Sequence, residues 1–66
     1  MSLTINGQQR QVAEASRVSQ LLEEMHLTGK RLAVEKNGEI VPRSRFSDEM
    51  LEPGDVLEIV VAVGGG

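Results

Sequence analysis

Two Asn-Gly pairs, Asn6-Gly7 and Asn37-Gly38, each follow a short run with alternating or apolar residues and constrain this chain more than any other feature. A two-residue hairpin turn of type I′ needs positive φ at both central positions, and asparagine followed by glycine meets that need at least steric cost. Leu3 and Ile5 alternate with Ser2 and Thr4 ahead of the first pair, and Gln9 to Ala13 follows as the return strand with Val12 inward. Leu32 and Val34 open a third strand ahead of the second pair. Ile40 and Val41 continue beyond it as far as Pro42, which lacks the backbone donor a ladder requires.

Between the hairpins the period changes. Ser16 is the expected helix N-cap, and Val18, Leu21, Leu22 and Met25 then recur on one helical face. The helix is expected to end between Leu27 and Gly29, where glycine can take the left-handed conformation. After Pro42, Phe46 and Leu51 anchor an irregular stretch with one short helical turn, and Pro53-Gly54-Asp55 makes a tight turn. Val56 to Val63 is the final strand, apolar almost throughout except for Glu58, which suits a central position. The order is strand, strand, helix, strand, strand, strand. This predicts an α+β fold: a mixed sheet of four to five strands with one main helix across one face. With the first and last strands parallel at the centre, that is a β-grasp. Residues 1–63 form the expected domain, and Gly64, Gly65 and Gly66 a flexible carboxyl-terminal tail.

At 66 residues without cysteine, the core alone must stabilise the chain, since no disulfide or cysteine-based metal clip is available. The net charge of −3 argues against nucleic acid as a partner. Arg43 and Arg45 are the nearest approach to a basic cluster, with Lys30 and Arg31 elsewhere in the chain. No basic start with a long apolar run marks a secretory signal, and no run approaches the roughly 18 apolar residues of a membrane span. The expectation is a cytoplasmic protein with no membrane partner, monomeric alone.

The inventory excludes most catalysis. A nucleophile–base pair needs a histidine held by an acid, and the one histidine, His26, sits at the end of the expected helix. There a cation is favoured by the helix dipole, which explains His26 without chemistry. One histidine and no cysteine make a zinc site an unusual ligand set, so no metal is expected. Neither a phosphate loop nor a dinucleotide fingerprint is present. No catalytic residue and no cofactor bound by this chain are expected.

What remains is the carboxyl end, Val63-Gly64-Gly65-Gly66. A bare run of glycines is weak evidence, but these follow an expected buried strand directly. Without Cβ atoms such a tail can thread a narrow channel and set the Gly66 carboxylate inside another enzyme's active site. Adenylation by ATP would turn that carboxylate into a mixed anhydride. Attack by a persulfide sulfur could then leave a thiocarboxylate, with the sulfur coming from a partner, since this chain has no cysteine.

Three segments carry a resemblance: Ala33-Val34-Glu35-Lys36-Asn37-Gly38-Glu39-Ile40-Val41-Pro42-Arg43, Leu51-Glu52-Pro53-Gly54-Asp55-Val56-Leu57-Glu58-Ile59-Val60, and the Val63-Gly64-Gly65-Gly66 ending. Together they resemble the thiamine-biosynthesis sulfur carriers of the ThiS family over essentially the whole chain. The resemblance implies a ubiquitin-like β-grasp. It implies adenylation of Gly66 by a ubiquitin-activating-enzyme-like adenylyltransferase (ThiF) using ATP and magnesium. It also implies sulfur supplied by a cysteine desulfurase and a thiocarboxylate spent on thiazole synthase (ThiG). The small subunit of molybdopterin synthase shares the fold and the ending, but approaches its glycines through a proline-serine segment where Ala62-Val63 stands here. A ubiquitin-like modifier would use the same activated carboxylate against an amine.

Docking needs more than the tail. If Leu57, Ile59, Val61 and Val63 face the helix, alternation turns Glu58, Val60 and Ala62 to the opposite face. Val60 and Ala62, with Arg43 as a charged contact, are therefore the expected partner-docking residues.

Overall fold

The computed structural model describes residues 1–62, so Val63 and the glycine tail Gly64, Gly65 and Gly66 lie outside the described residues. The elements are β1 (Ser2–Ile5), β2 (Gln8–Gln11), α1 (Val18–Glu24), β3 (Leu32–Lys36), β4 (Glu39–Val41), a short 3-10 turn (Arg43–Arg45) and β5 (Val56–Val61). The strands form one five-stranded sheet in the order β2-β1-β5-β3-β4. β1 runs parallel to β5, with Thr4 opposite Val56 and Ile5 opposite Leu57, and every other pairing is antiparallel. This is the expected arrangement, with parallel first and last strands at the centre.

Both hairpins turn where the dipeptides predict. Asn6 and Gly7 have φ of +51° and +81°, and Asn37 and Gly38 have +53° and +86°. The Pro53-Gly54 turn closes with the Asp55 N–H donating to the Glu52 carbonyl at 3.1 Å. Gly54 takes φ +86° there, as a type II turn requires.

One sheet face carries the core. Leu3 and Ile5 of β1, Val34 of β3, Val41 of β4 and Leu57 and Ile59 of β5 are buried against Val18, Leu21 and Leu22 of α1. Val12 and Leu51 complete the cluster, with Phe46 packed on its margin. Val12 is inward as expected, although β2 itself ends one residue earlier at Gln11.

The ends of α1 depart from expectation in instructive ways. The N-cap is Arg17, not Ser16. Ser16 is buried, and its hydroxyl donates to the Ala13 carbonyl at 2.7 Å, so it is spent on the preceding turn. Free donors at the helix start are met from elsewhere. The Val18 N–H donates to the Glu49 carbonyl at 3.0 Å, and the Ser19 N–H to the Phe46 carbonyl at 2.8 Å. The Gln20 side-chain oxygen accepts from the Arg17 N–H at 2.7 Å, half of a capping box. The helix closes earlier than expected, at Met25, in a Schellman arrangement. Leu27 N–H donates to the Leu22 carbonyl (2.8 Å) and His26 N–H to the Glu23 carbonyl (3.0 Å). The left-handed residue is His26, at φ +59°, and Gly29 takes a second left-handed position beyond it at φ +84°.

The segment that receives the helix start is tied down by Lys36. Its Nζ lies 2.8 Å from a Glu49 carboxylate oxygen and donates to the Met50 carbonyl at 3.1 Å. The hydrogen bond to Glu49 raises the Lys36 ammonium above its ordinary pKa against the opposing effect of burial, with Asp55 adding attraction. The same bond holds the Glu49 carboxyl below the usual carboxylate value.

Candidate functional site

The site expected from sequence is the end of β5 and the sheet face opposite the helix. Along β5 the alternation is strict, with Leu57 and Ile59 buried and Val56, Glu58 and Val60 exposed. Val60 is 65% exposed, and Ala62, one residue past the strand, is exposed as well. The backbone at this end is held by the Ala62 N–H, which donates to the Arg31 carbonyl at 2.8 Å. Gly64, Gly65 and Gly66 follow, outside the described residues.

Register extends the face beyond the residues named from sequence. Val60 is paired with Ala33 across β5 and β3, and Glu58 with Glu35. Glu35 is in turn opposite Ile40 of β4. Ile40 is 64% exposed and Val56 49%, so three of the large exposed hydrophobics share this half of the open face. The other half is polar, with Ser2 and Thr4 of β1 paired with Gln11 and Gln9 of β2. Ile40 was legible in principle: Val41 points inward, so its neighbour in an extended strand must point outward. Glu35 and Val56 follow from the same alternation, beside inward Val34 and Leu57, but the pairing of Glu35 with Glu58 and Ile40 needed the register.

Arg43 is set apart from Val60. It begins the 3-10 turn after β4, and its guanidinium donates to the Lys30 carbonyl at 3.4 Å. It borders a hollow of about 130 Å³ on the helix side, floored by Leu22, Leu27, Leu32 and Phe46. Lys30, distant from Arg43 in the chain, is thereby brought beside it. Because Arg31 pairs with Ala62, the two arginines and Lys30 gather near the end of β5, a grouping the linear sequence hides.

Among the described residues no group of three or more histidines, cysteines or carboxylates is placed to hold a metal ion. No described helix is long and apolar enough to cross a membrane. The described residues offer a five-stranded sheet with a half-apolar open face.

Comparison with known proteins gives a consistent outcome. The family model of the ThiS family matches residues 3–66. A thiazole synthase from Paramagnetospirillum magneticum is 42% identical over 66 residues, and the chain spans only 20% of that relative's length. The uncharacterized protein ycf40 of Porphyra purpurea is 30% identical over the whole chain, which covers 93% of it. Among solved structures, the crystal structure of the thiamine biosynthesis protein ThiS from Geobacter metallireducens superposes with a TM-score of 0.85 at 35% identity, each chain covered in full. The chain belongs to the ThiS family.

Proposed function

We propose that this protein is a cytoplasmic sulfur carrier for the thiazole moiety of thiamine, a co-substrate of its partner enzymes with no catalysis of its own. The observation that carries the reading is membership of the ThiS family, together with a sequence in which Gly64-Gly65-Gly66 follows shortly after the central strand β5. The Gly66 carboxylate oxygen attacks the α-phosphorus of ATP on the adenylyltransferase ThiF, with magnesium on the phosphates, and pyrophosphate leaves. The terminal sulfur of a persulfide, loaded by a cysteine desulfurase, then attacks the Gly66 carbonyl and AMP leaves. A thiol cleaves the resulting S–S bond, taking the partner's sulfur into a disulfide and leaving the thiocarboxylate at Gly66. Thiazole synthase (ThiG) takes the sulfur from there. A thiazole synthase with a stretch 42% identical to this whole chain supports that enzyme as the partner.

In this reading Val60 and Ala62 dock the partners while Gly64, Gly65 and Gly66 thread their active sites, and Arg43 is a charged contact at the base of the tail. The intact mass of protein purified from its own cells tests it. A sulfur-for-oxygen increment at the C-terminus is expected, absent after deletion of Gly65 and Gly66, with thermal unfolding nearly unchanged by that deletion. A mass showing Gly66 joined to a lysine of another protein, or no increment in thiazole-producing cells, would overturn the carrier reading.

A further inference from the structure

On the open face, Glu35 and Glu58 are direct cross-strand partners in the antiparallel β3–β5 pair. Side chains so opposed stand about 4.5–5.5 Å apart at Cβ, and like charges there destabilise a sheet. Nothing in the described residues relieves the pair. The ion pairs involve Glu14, Glu49 and Asp55, and neither Glu35 nor Glu58. Lys36 and Arg10 alternate to the helix side with Val34 and Leu3, and Arg31, which precedes β3 at the margin of the open face opposite Ala62, stands four residues from Glu35 and forms no ion pair with either glutamate. Around the two carboxylates stand Ile40, Val56 and Val60, all exposed. The free protein therefore carries an unneutralised acidic pair, at a cost to its own sheet, within an apolar ring.

We propose that this pair is the seat for a basic side chain of thiazole synthase, an arginine or lysine held between the Glu35 and Glu58 carboxylates while Val60, Ile40 and Val56 exclude water around it. This rests on the docking reading above and adds what the docked surface must present. A guanidinium placed there would satisfy both carboxylates at once, since its fork of donors matches carboxylate geometry. Enclosure by apolar side chains would strengthen that contact, as the periphery of an interface does for a charged centre. The same pair would reject surfaces that present an acid at this point, a source of partner selectivity.

The test compares the full-length wild type with the double variant Glu35→Gln/Glu58→Gln and with Val60→Asp, each titrated against thiazole synthase at low and high salt. The double variant should melt about 1–8 °C higher than wild type, because the cross-strand repulsion is gone. It should nevertheless bind thiazole synthase roughly tenfold or more weakly, and with a shallower salt dependence. Val60→Asp should also bind more weakly. Unchanged or tighter binding by the double variant, with Val60→Asp weakened, would overturn the acidic-seat inference and leave the docking face standing. Full affinity in both would overturn the docking face and this inference with it.

Discussion

At Asn6 the backbone turns through φ +51° while the carboxamide reaches across to β5. Its oxygen accepts from the Ile59 N–H at 2.8 Å, and its nitrogen donates to the Ile59 carbonyl at 3.1 Å. Asn37 repeats the device at the other hairpin, accepting from the Val56 N–H at 2.9 Å and donating to Asp55 at 3.0 Å. Each asparagine is both a turn residue and a strap holding its hairpin to the central strand. The turns were legible, because Asn-Gly encodes a backbone conformation. The straps were not, because their partners lie 53 residues away for Asn6 and 18 or 19 for Asn37. The two roles separate experimentally. Asn6→Gly keeps the positive φ but leaves the Ile59 N–H without its partner, and should cost about 1–3 kcal/mol in urea unfolding. Asn6→Ala should cost about 1–2 kcal/mol more, for a Cβ in left-handed conformation. Equal stability of Asn6→Gly and wild type would show that the straps contribute nothing.

For the single helix, periodicity identified the buried face correctly and the ends imperfectly. Val18, Leu21 and Leu22 are the buried residues of α1, and Met25 packs at the margin of the core. A serine beside a helix is usually its cap, whereas here carbonyls of Phe46 and Glu49 meet the donors that a cap would serve. Those carbonyls belong to a segment that no local rule connects to the helix. Glycine is the common left-handed residue at a helix end, but here His26 occupies that position. This makes His26 an element-level test. Glycine at the same position avoids the Cβ strain, although its greater freedom when unfolded offsets part of the gain. His26→Gly should therefore raise stability by up to about 1 kcal/mol, read as a higher urea midpoint. A lower midpoint would mean that the imidazole contributes more at the helix end than the left-handed backbone costs.

Across the whole molecule, what links the layers is polar and lies at the margin of the core. Lys36 leaves β3 on the helix side and reaches Glu49 and Met50, and the carbonyls of Glu49 and Phe46 meet the donors of α1, so sheet, loop and helix share one junction. The sheet order could be deduced from two hairpins and an apolar last strand, but this junction could not, since charged residues in sequence carry no sign of whom they meet. Its contribution should depend on pH in a definite direction. Glu49 has a folded pKa below its ordinary value, so its contribution is complete above the unfolded value of about 4.3 and is lost as pH falls through the lower folded value. Lys36 is shifted upward, so its contribution is complete below about 10.4 and is lost as pH rises through the higher folded value. Glu49→Gln keeps the shape and removes the charge. It should be less stable than wild type at pH 7, and the gap should narrow at both extremes, as Glu49 takes up its proton in acid and as Lys36 loses its own in alkali. Urea midpoints at pH 3, 7 and 11 measure this. A gap as wide at pH 3 as at pH 7 would mean that the junction holds by shape and neutral hydrogen bonding, with the charge on Glu49 contributing nothing.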